Sequence, residues 1–311
     1  MAAPLSCTLI TARLGGFPGV YRAHPGMLEI ATRLLRKEEG GVIIDSFVFR
    51  CGDAVAFLLT HRDSSERDRL LELITGVITS CREYLDRKGI SLGISDPPFA
   101  SARLTFSERD RETILVLLSD LPSIDLYNLH LFRIFGDPFG TTRLVTEDAL
   151  REGFVFHLSG DRVYSLPEDT YRLLSLIRKP QDARVLRISR RDGEPVASVT
   201  TPQETGSTGL IIRAGGVFPD TGEIIEPFSV PSMARSPGRP MMPLLPVSLC
   251  DAQGSRSGGP PRIVSLGFSI ANGRLIGPAD IFDDPALDQV RRLGADITGY
   301  ARSHGPFDPF L

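Results

Sequence analysis

Polar and apolar residues alternate over residues 5–12, the period of a half-buried strand, and the run ends in the glycine-rich turn Leu14-Gly15-Gly16-Phe17-Pro18-Gly19. The period then lengthens. Met27, Ile30, Ala31, Leu34 and Leu35 recur at helical spacing, Pro25 suits a first turn, and Gly40-Gly41 closes the segment. Residues 42–50 and 55–60 predict two strands joined through Cys51-Gly52-Asp53-Ala54. The clearest helix follows: Ser65 with Asp68 can cap it, Leu70, Ile74, Val77, Ile78, Cys81 and Leu85 form one stripe, and Gly89 stops it.

Downstream, residues 113–118 predict a buried strand and residues 125–135 a helix. Strands dominate residues 154–212, interrupted by a short helix over 168–177. Residues 215–261 are rich in proline and glycine, with Pro237, Pro240, Pro243 and Pro246 closely spaced, so little regular structure is expected there. A last helix starts at Asp284-Pro285, with Leu287, Val290, Leu293, Ile297 and Tyr300 as its expected buried face. Strands and helices in mixed order, without regular βαβ alternation, point to an α+β fold rather than a doubly wound sheet. Gly15, Gly16 and Gly19 do not have GxGxxG spacing, so a tight turn is expected there rather than a nucleotide site.

Composition narrows the function classes. The 311 residues are 41% hydrophobic, and no window approaches the roughly 18–20 uninterrupted apolar residues of a membrane span. No export signal precedes Leu14, so the cytoplasm is the expected location. A net charge of -3 without runs of like charge excludes an electrostatic footprint for nucleic acid or an anionic membrane. The four cysteines, Cys7, Cys51, Cys81 and Cys250, are scattered and make no metal-binding pair. Lysine occurs only at positions 37, 88 and 179, which limits amine chemistry.

Four segments stand out as motifs: Gly136-Asp137-Pro138-Phe139, Gly259-Pro260-Pro261-Arg262, Gly277-Pro278-Ala279-Asp280-Ile281-Phe282-Asp283-Asp284-Pro285, and His304-Gly305-Pro306-Phe307-Asp308-Pro309. With Gly52-Asp53, Thr60-His61, the run from Arg190 to Val196 and Pro246-Val247, their order and spacing resemble the fructose-1,6-bisphosphate aldolase/phosphatase family. The resemblance implies one domain over residues 1–311, a four-layer α-β-β-α sandwich and a homo-octamer. It also implies two reactions in one pocket: magnesium-dependent hydrolysis of a sugar bisphosphate, and condensation of triose phosphates through a lysine Schiff base.

The residues those reactions need are depleted. Where the family has metal-binding aspartate and histidine at the first turn, this chain has Arg13 and Val20; of two successive aspartates, only Asp53 stands, beside Ala54. An aspartate-lysine pair is reduced to Asp120-Leu121, and the stretch that supplies the Schiff-base lysine has no counterpart, residues 203–208 bridging a shortened loop. Gly215 and Gly258 replace a glutamine and a further aspartate, and the family's C-terminal extension is missing after Leu311. No metal or other cofactor is therefore expected.

The residues left as candidates are Asp53, Asp120 and His24 for acid–base catalysis, and Arg13, Tyr127 and Arg213 for holding a small, anionic substrate. Tyr127, Asn128, His130 and Arg133 fall near the pocket by resemblance, but one helix cannot turn all four inward. His61 and Asp284 are expected to be structural, the latter as a helix cap. The leading expectation is a repurposed, metal-independent enzyme of lyase, cyclase or aldolase type in a specialised biosynthetic pathway. The alternatives are a non-catalytic oligomeric ligand-binding or scaffold protein, and a residual magnesium-dependent fructose-1,6-bisphosphatase.

Overall fold

The computed structural model describes residues 4–14, 22–62, 67–90, 99–121, 123, 125–178, 183–200, 208–236, 239–253 and 259–304. Its first half builds a small antiparallel sheet from β1 (Leu5–Arg13), β2 (Asp45–Cys51), β3 (Ala54–Arg62) and β4 (Phe99–Phe106), in the order β2-β3-β1-β4. The helices α1 (Pro25–Lys37) and α2 (Arg67–Arg87) cover it. The second half supplies β5 (Glu112–Ser119), α3 (Asn128–Gly136), α4 (Arg143–Thr146), α5 (Asp148–Arg151), β6 (Phe154–Leu158), β7 (Arg162–Ser165), α6 (Thr170–Ile177), β8 (Val185–Arg190), β9 (Pro195–Val199) and β10 (Thr208–Ala214). It continues with α7 (Thr221–Ile225), β11 (Ser232–Ser236), β12 (Arg239–Pro246), β13 (Arg262–Ala271), β14 (Arg274–Asp280) and α8 (Asp288–His304). The large sheet runs β11-β12-β13-β5-β10-β9-β8-β6-β7, with β14 beside β13.

Three apolar layers result, as an α-β-β-α sandwich requires. On β1, Cys7 and Leu9 face the layer between the sheets, while Ile10 and Ala12 meet the helices; Ala56 and Leu58 of β3 face inward, Val55 and Phe57 outward. Strands buried on both faces therefore read as nearly continuous apolar runs. The α2 stripe from Leu70 to Leu85 is buried as its spacing predicts, each large aliphatic side chain contributing about 1.5–3 kcal/mol. Beyond the large sheet, a third layer joins Leu131, Phe135, Leu173, Phe282 and Val290 from α3, α6, α8 and the turn before α8.

Several expectations need correction. β4 was not anticipated, although Ala100, Ala102, Leu104 and Phe106 alternate along it, because two of its four buried side chains are alanines. Residues 215–261 hold α7, β11 and β12, and Pro246 of β12 is accommodated because its neighbours Leu245 and Val247 donate to the Pro261 and Ile263 carbonyls, so no N–H is required of it. α3 begins three residues later than expected, after a turn through Tyr127. In α8 the buried side chains are Val290 and Thr298, with Gly294 against Leu245, while Leu293, Ile297 and Tyr300 are 42, 38 and 58% exposed. Asp284 does cap, but a 3-10 turn over Pro285–Leu287 that precedes α8. The expected turn at Gly15, Gly16 and Gly19, the Ser65 cap, Pro237 and the Gly305 to Pro309 motif lie outside the described residues. No helix among those described is long and apolar enough to cross a membrane.

Candidate functional site

One end of the inter-sheet layer gathers the polar residues singled out by sequence. β1 ends at Arg13, whose partner in the register is Ala54, and Ala54 pairs in turn with Cys51 across the β2–β3 turn. That turn is Gly52-Asp53; Gly52 takes φ +62, a backbone conformation that glycine adopts without steric cost. Asp53 is 5% exposed, and both of its oxygens accept from Arg13: Nε to Oδ2 at 3.0 Å and a terminal nitrogen to Oδ1 at 2.9 Å. Such a two-pronged guanidinium–carboxylate pair is charge-assisted and fixed in direction.

Asp120 reaches the same end from the large sheet. It follows β5, its amide donates to the Arg262 carbonyl at 3.1 Å, and its Oδ1 accepts from the Arg262 amide at 2.8 Å. Cys51 lies between the two carboxylates and donates its thiol to the Arg262 carbonyl at 3.4 Å. Burial pushes that thiol well above its ordinary range and the charge of Asp120 adds to the effect, so Cys51 serves packing and not nucleophilic chemistry.

Further arginines surround the turn, and sequence reasoning missed them. The Gly52 amide donates to Ala252 and its carbonyl accepts from Ala23. Arg50 donates to the Ala23 carbonyl, Arg22 to Gln253 at 3.4 Å, and Arg262 to the Asp251 carbonyl. The Nε atoms of Arg22 and Arg262 are buried without a hydrogen-bond partner. Burial lowers the Arg50 pKa and the Arg22 charge lowers it further, which is the signature of cations crowded together. Their signal in sequence is adjacency: Arg50 precedes Cys51-Gly52-Asp53, and Arg262 closes the Gly-Pro-Pro motif.

The other candidates are engaged in structural contacts. His24 is the N-cap of α1, its Nδ1 accepting from the Gly26 amide at 3.0 Å, and its ring packs edge-on to Tyr84. Tyr127 is 2% exposed and donates to the Thr208 carbonyl within the apolar layer under α3. Asn128 is spent on Ala183 and Val185, and His130 stacks on Phe228. Arg213 has no exposed surface; Glu112 and Glu194 pair with it, and Phe106 and Phe218 pack against its guanidinium. His61 bonds to Thr8 inside the small sheet. Val20, residues 203–207 and Gly258 lie outside the described residues.

The donor set among the described residues does not fit a cluster of magnesium ions. Hard divalent cations need several carboxylate oxygens that are not already engaged. Here both Asp53 oxygens accept from Arg13, whose positive charge repels a cation, and Asp120 accepts from a main-chain amide. Among the described residues no group of three or more histidine, cysteine or acidic side chains converges. A Schiff-base lysine is no better placed: Lys37 and Lys88 are exposed at helix ends, and Lys179 lies outside the described residues.

A sequence model of the fructose-1,6-bisphosphatase family matches residues 5–92 and 93–311. The chain is 33% identical to the fructose-1,6-bisphosphate aldolase/phosphatase of Ignicoccus hospitalis, over 99% of its own length and 87% of that protein. It is 33% identical to the enzyme of that name from Thermococcus kodakarensis, over 98% and 91% of the two chains, and 31% identical to that of Methanothermobacter marburgensis, over 97% and 91%. The family model and the similarity to these relatives both run along nearly the whole length: the chain belongs to the fructose-1,6-bisphosphate aldolase/phosphatase family.

Proposed function

We propose that this family member is a repurposed enzyme that holds an anionic small molecule at the Arg13 end of the sandwich without a metal. The observation that carries the reading is the Arg13–Asp53 pair, which sets a guanidinium beside a carboxylate that would otherwise be free to bind a cation. Four arginines, Arg13, Arg22, Arg50 and Arg262, stand near Asp53 and Asp120, so the local charge favours an anion. The orphaned Nε donors of Arg22 and Arg262 support an anionic acceptor at this end. In this reading Arg13 anchors the anion, Asp53 holds Arg13 in orientation, and Asp120 moves the proton in a lyase or cyclase reaction. His24 positions the start of α1.

A second reading, a non-catalytic ligand-binding protein, is favoured by the burial of Ala54 and Leu121, two apolar side chains at the depleted positions. Self-association into an octamer belongs to either reading; the exposed Leu293, Ile297 and Tyr300 stripe of α8 supports it, and light scattering on the eluted protein would measure it.

Titration calorimetry with inorganic phosphate and with fructose 1,6-bisphosphate, in EDTA, tests the anion site. Binding should weaken at least tenfold in Arg13→Ala, since a two-pronged charged contact is lost. Turnover of any substrate should persist in EDTA. Magnesium-dependent phosphate release from fructose 1,6-bisphosphate that disappears in Asp53→Ala would overturn the proposal, and binding without turnover of any phosphorylated or carboxylated substrate would favour the second reading.

A further inference from the structure

The opposite end of the small sheet holds a cavity of about 530 Å³ lined by Arg36, Glu39, residues 40–44, Asp45, Arg62 and Arg274. The 13 residues of α1 separate it from the Arg13 end: His24 and Ala23 lie at the first site and Arg36 at the second, about 20 Å apart along the helix. Its arginines come from three different elements, the last turn of α1, the end of β3 and the start of β14.

The two carboxylates of this cavity are already committed. Asp45 accepts from the Ser46 amide through Oδ1 and from the Leu275 amide through Oδ2, both at 2.8 Å, and so ties the β13–β14 hairpin to the edge of the small sheet. Glu39 accepts from the Ser46 hydroxyl at 3.0 Å. By contrast, no ion pair or hydrogen bond from the Arg36 or Arg274 side chain exists among the described residues, although both residues line the cavity. Gly40 and Gly41 form part of the wall; Gly40 has φ +84 and no atom near the place of a Cβ, which leaves the main chain open to close approach.

We propose that this cavity is a second anion site, for a phosphorylated small molecule with at least two negative charges. Arg36 and Arg274, with no ion pair among the described residues, supply the positive charge beside two internally bonded carboxylates, and planar guanidinium forks match phosphate oxygens. The volume lies in the range of small-molecule pockets and far exceeds that of a lone ion. A ligand there would touch both sheets, through β3 and β14.

The test is titration calorimetry of the full chain with inorganic pyrophosphate in EDTA. The double substitution Arg36→Ala/Arg274→Ala should weaken this binding at least tenfold; both side chains are exposed, and a matching thermal melt verifies that the variant is folded. Since the Arg13 end is itself proposed to hold phosphate, the double substitution is read in an Arg13→Ala background, where it should weaken the pyrophosphate binding that Arg13→Ala alone retains. Unchanged affinity in the double variant overturns the proposal, as does no binding by the native chain. An equal loss in Arg292→Ala, an exposed arginine on α8, would indicate diffuse attraction and also overturn it.

Discussion

Arg213 shows how an arginine can be misread when its chain neighbours are ignored. It was expected to hold substrate, yet Gly209 and Ile211 share its strand face, and a period of two carries that face into the inter-sheet layer. There Nε and a terminal nitrogen bond to Glu112 at 3.0 and 2.8 Å, and the remaining nitrogen bonds to Glu194 at 2.8 Å. Burial pushes the Glu112 carboxyl up, but the hydrogen bonds and charges of Arg213 and Arg109 more than offset this and hold it below its ordinary value. Arg213→Met should therefore cost about 3–5 kcal/mol in urea unfolding at neutral pH, since it strips a buried carboxylate of a partner. A loss under about 1 kcal/mol together with weakened phosphate binding would return Arg213 to the substrate site. His130 gives a second expectation. Burial lowers its pKa to about 4, a hydrogen bond to Leu126 opposes that shift and the charge of Arg133 assists it. The unfolded chain gains this proton below about pH 6.5, whereas the folded chain refuses it until about pH 4. Stability that is full above pH 6.5 should thus fall on acidification through this window, by up to about 3 kcal/mol from this group. His130→Phe should flatten that part of the stability–pH curve; an unchanged slope would show that the ring is hydrated.

Among the elements, β10 sets how closely the two sheets approach near the Arg13 end. A Cβ at Gly209 would stand 2.7 Å from Leu9 Cδ2, 3.0 Å from Thr11 Cγ2 and 3.2 Å from Thr200 Cγ2, so the absence of a side chain is what allows this spacing. Gly209→Val should cost about 1–3 kcal/mol through overpacking, read as a lower melting temperature. Since Thr11 lies two residues before Arg13 on β1, the same substitution should weaken phosphate binding; unaltered affinity in a destabilised protein would place the anion contacts away from β1. The elements differed in how plainly sequence announced them. α2 was legible because one wide stripe of large side chains meets one sheet, whereas α8 carries two apolar stripes. Leu293, Ile297 and Tyr300 form the more apolar stripe, but the side packed on β12 is selected by Gly294, which lets Leu245 come close. β12 was hidden by its own prolines, although it lies between β11 and β13; the main-chain donors to the Pro261 and Ile263 carbonyls there are Leu245 and Val247, on either side of Pro246.

At the scale of the molecule, layer order was legible from the motifs, while the chemistry of the site was legible mainly as losses. Arg13, Asp53 and Asp120 could be picked out from sequence because each sits at a strand end or beside one, and the fold pairs Arg13 with Asp53. The surrounding Arg22, Arg50 and Arg262 were not, since they meet through loops that only the folded chain brings together. The placement of the lysines makes one expectation about the whole protein especially direct. Condensation through a Schiff base needs a lysine held in a sheltered, low-dielectric place where it can react as a free amine. Lys37 is the exposed last residue of α1, and Lys88 lies exposed just beyond α2 with its ammonium 5.9 Å from the Tyr84 ring centroid. Neither stands among Arg13, Asp53 and Asp120. Incubation with dihydroxyacetone phosphate followed by borohydride should therefore leave the 34.0 kDa chain at its native mass. A reduced adduct mapped by mass spectrometry to any of the three lysines would overturn this expectation.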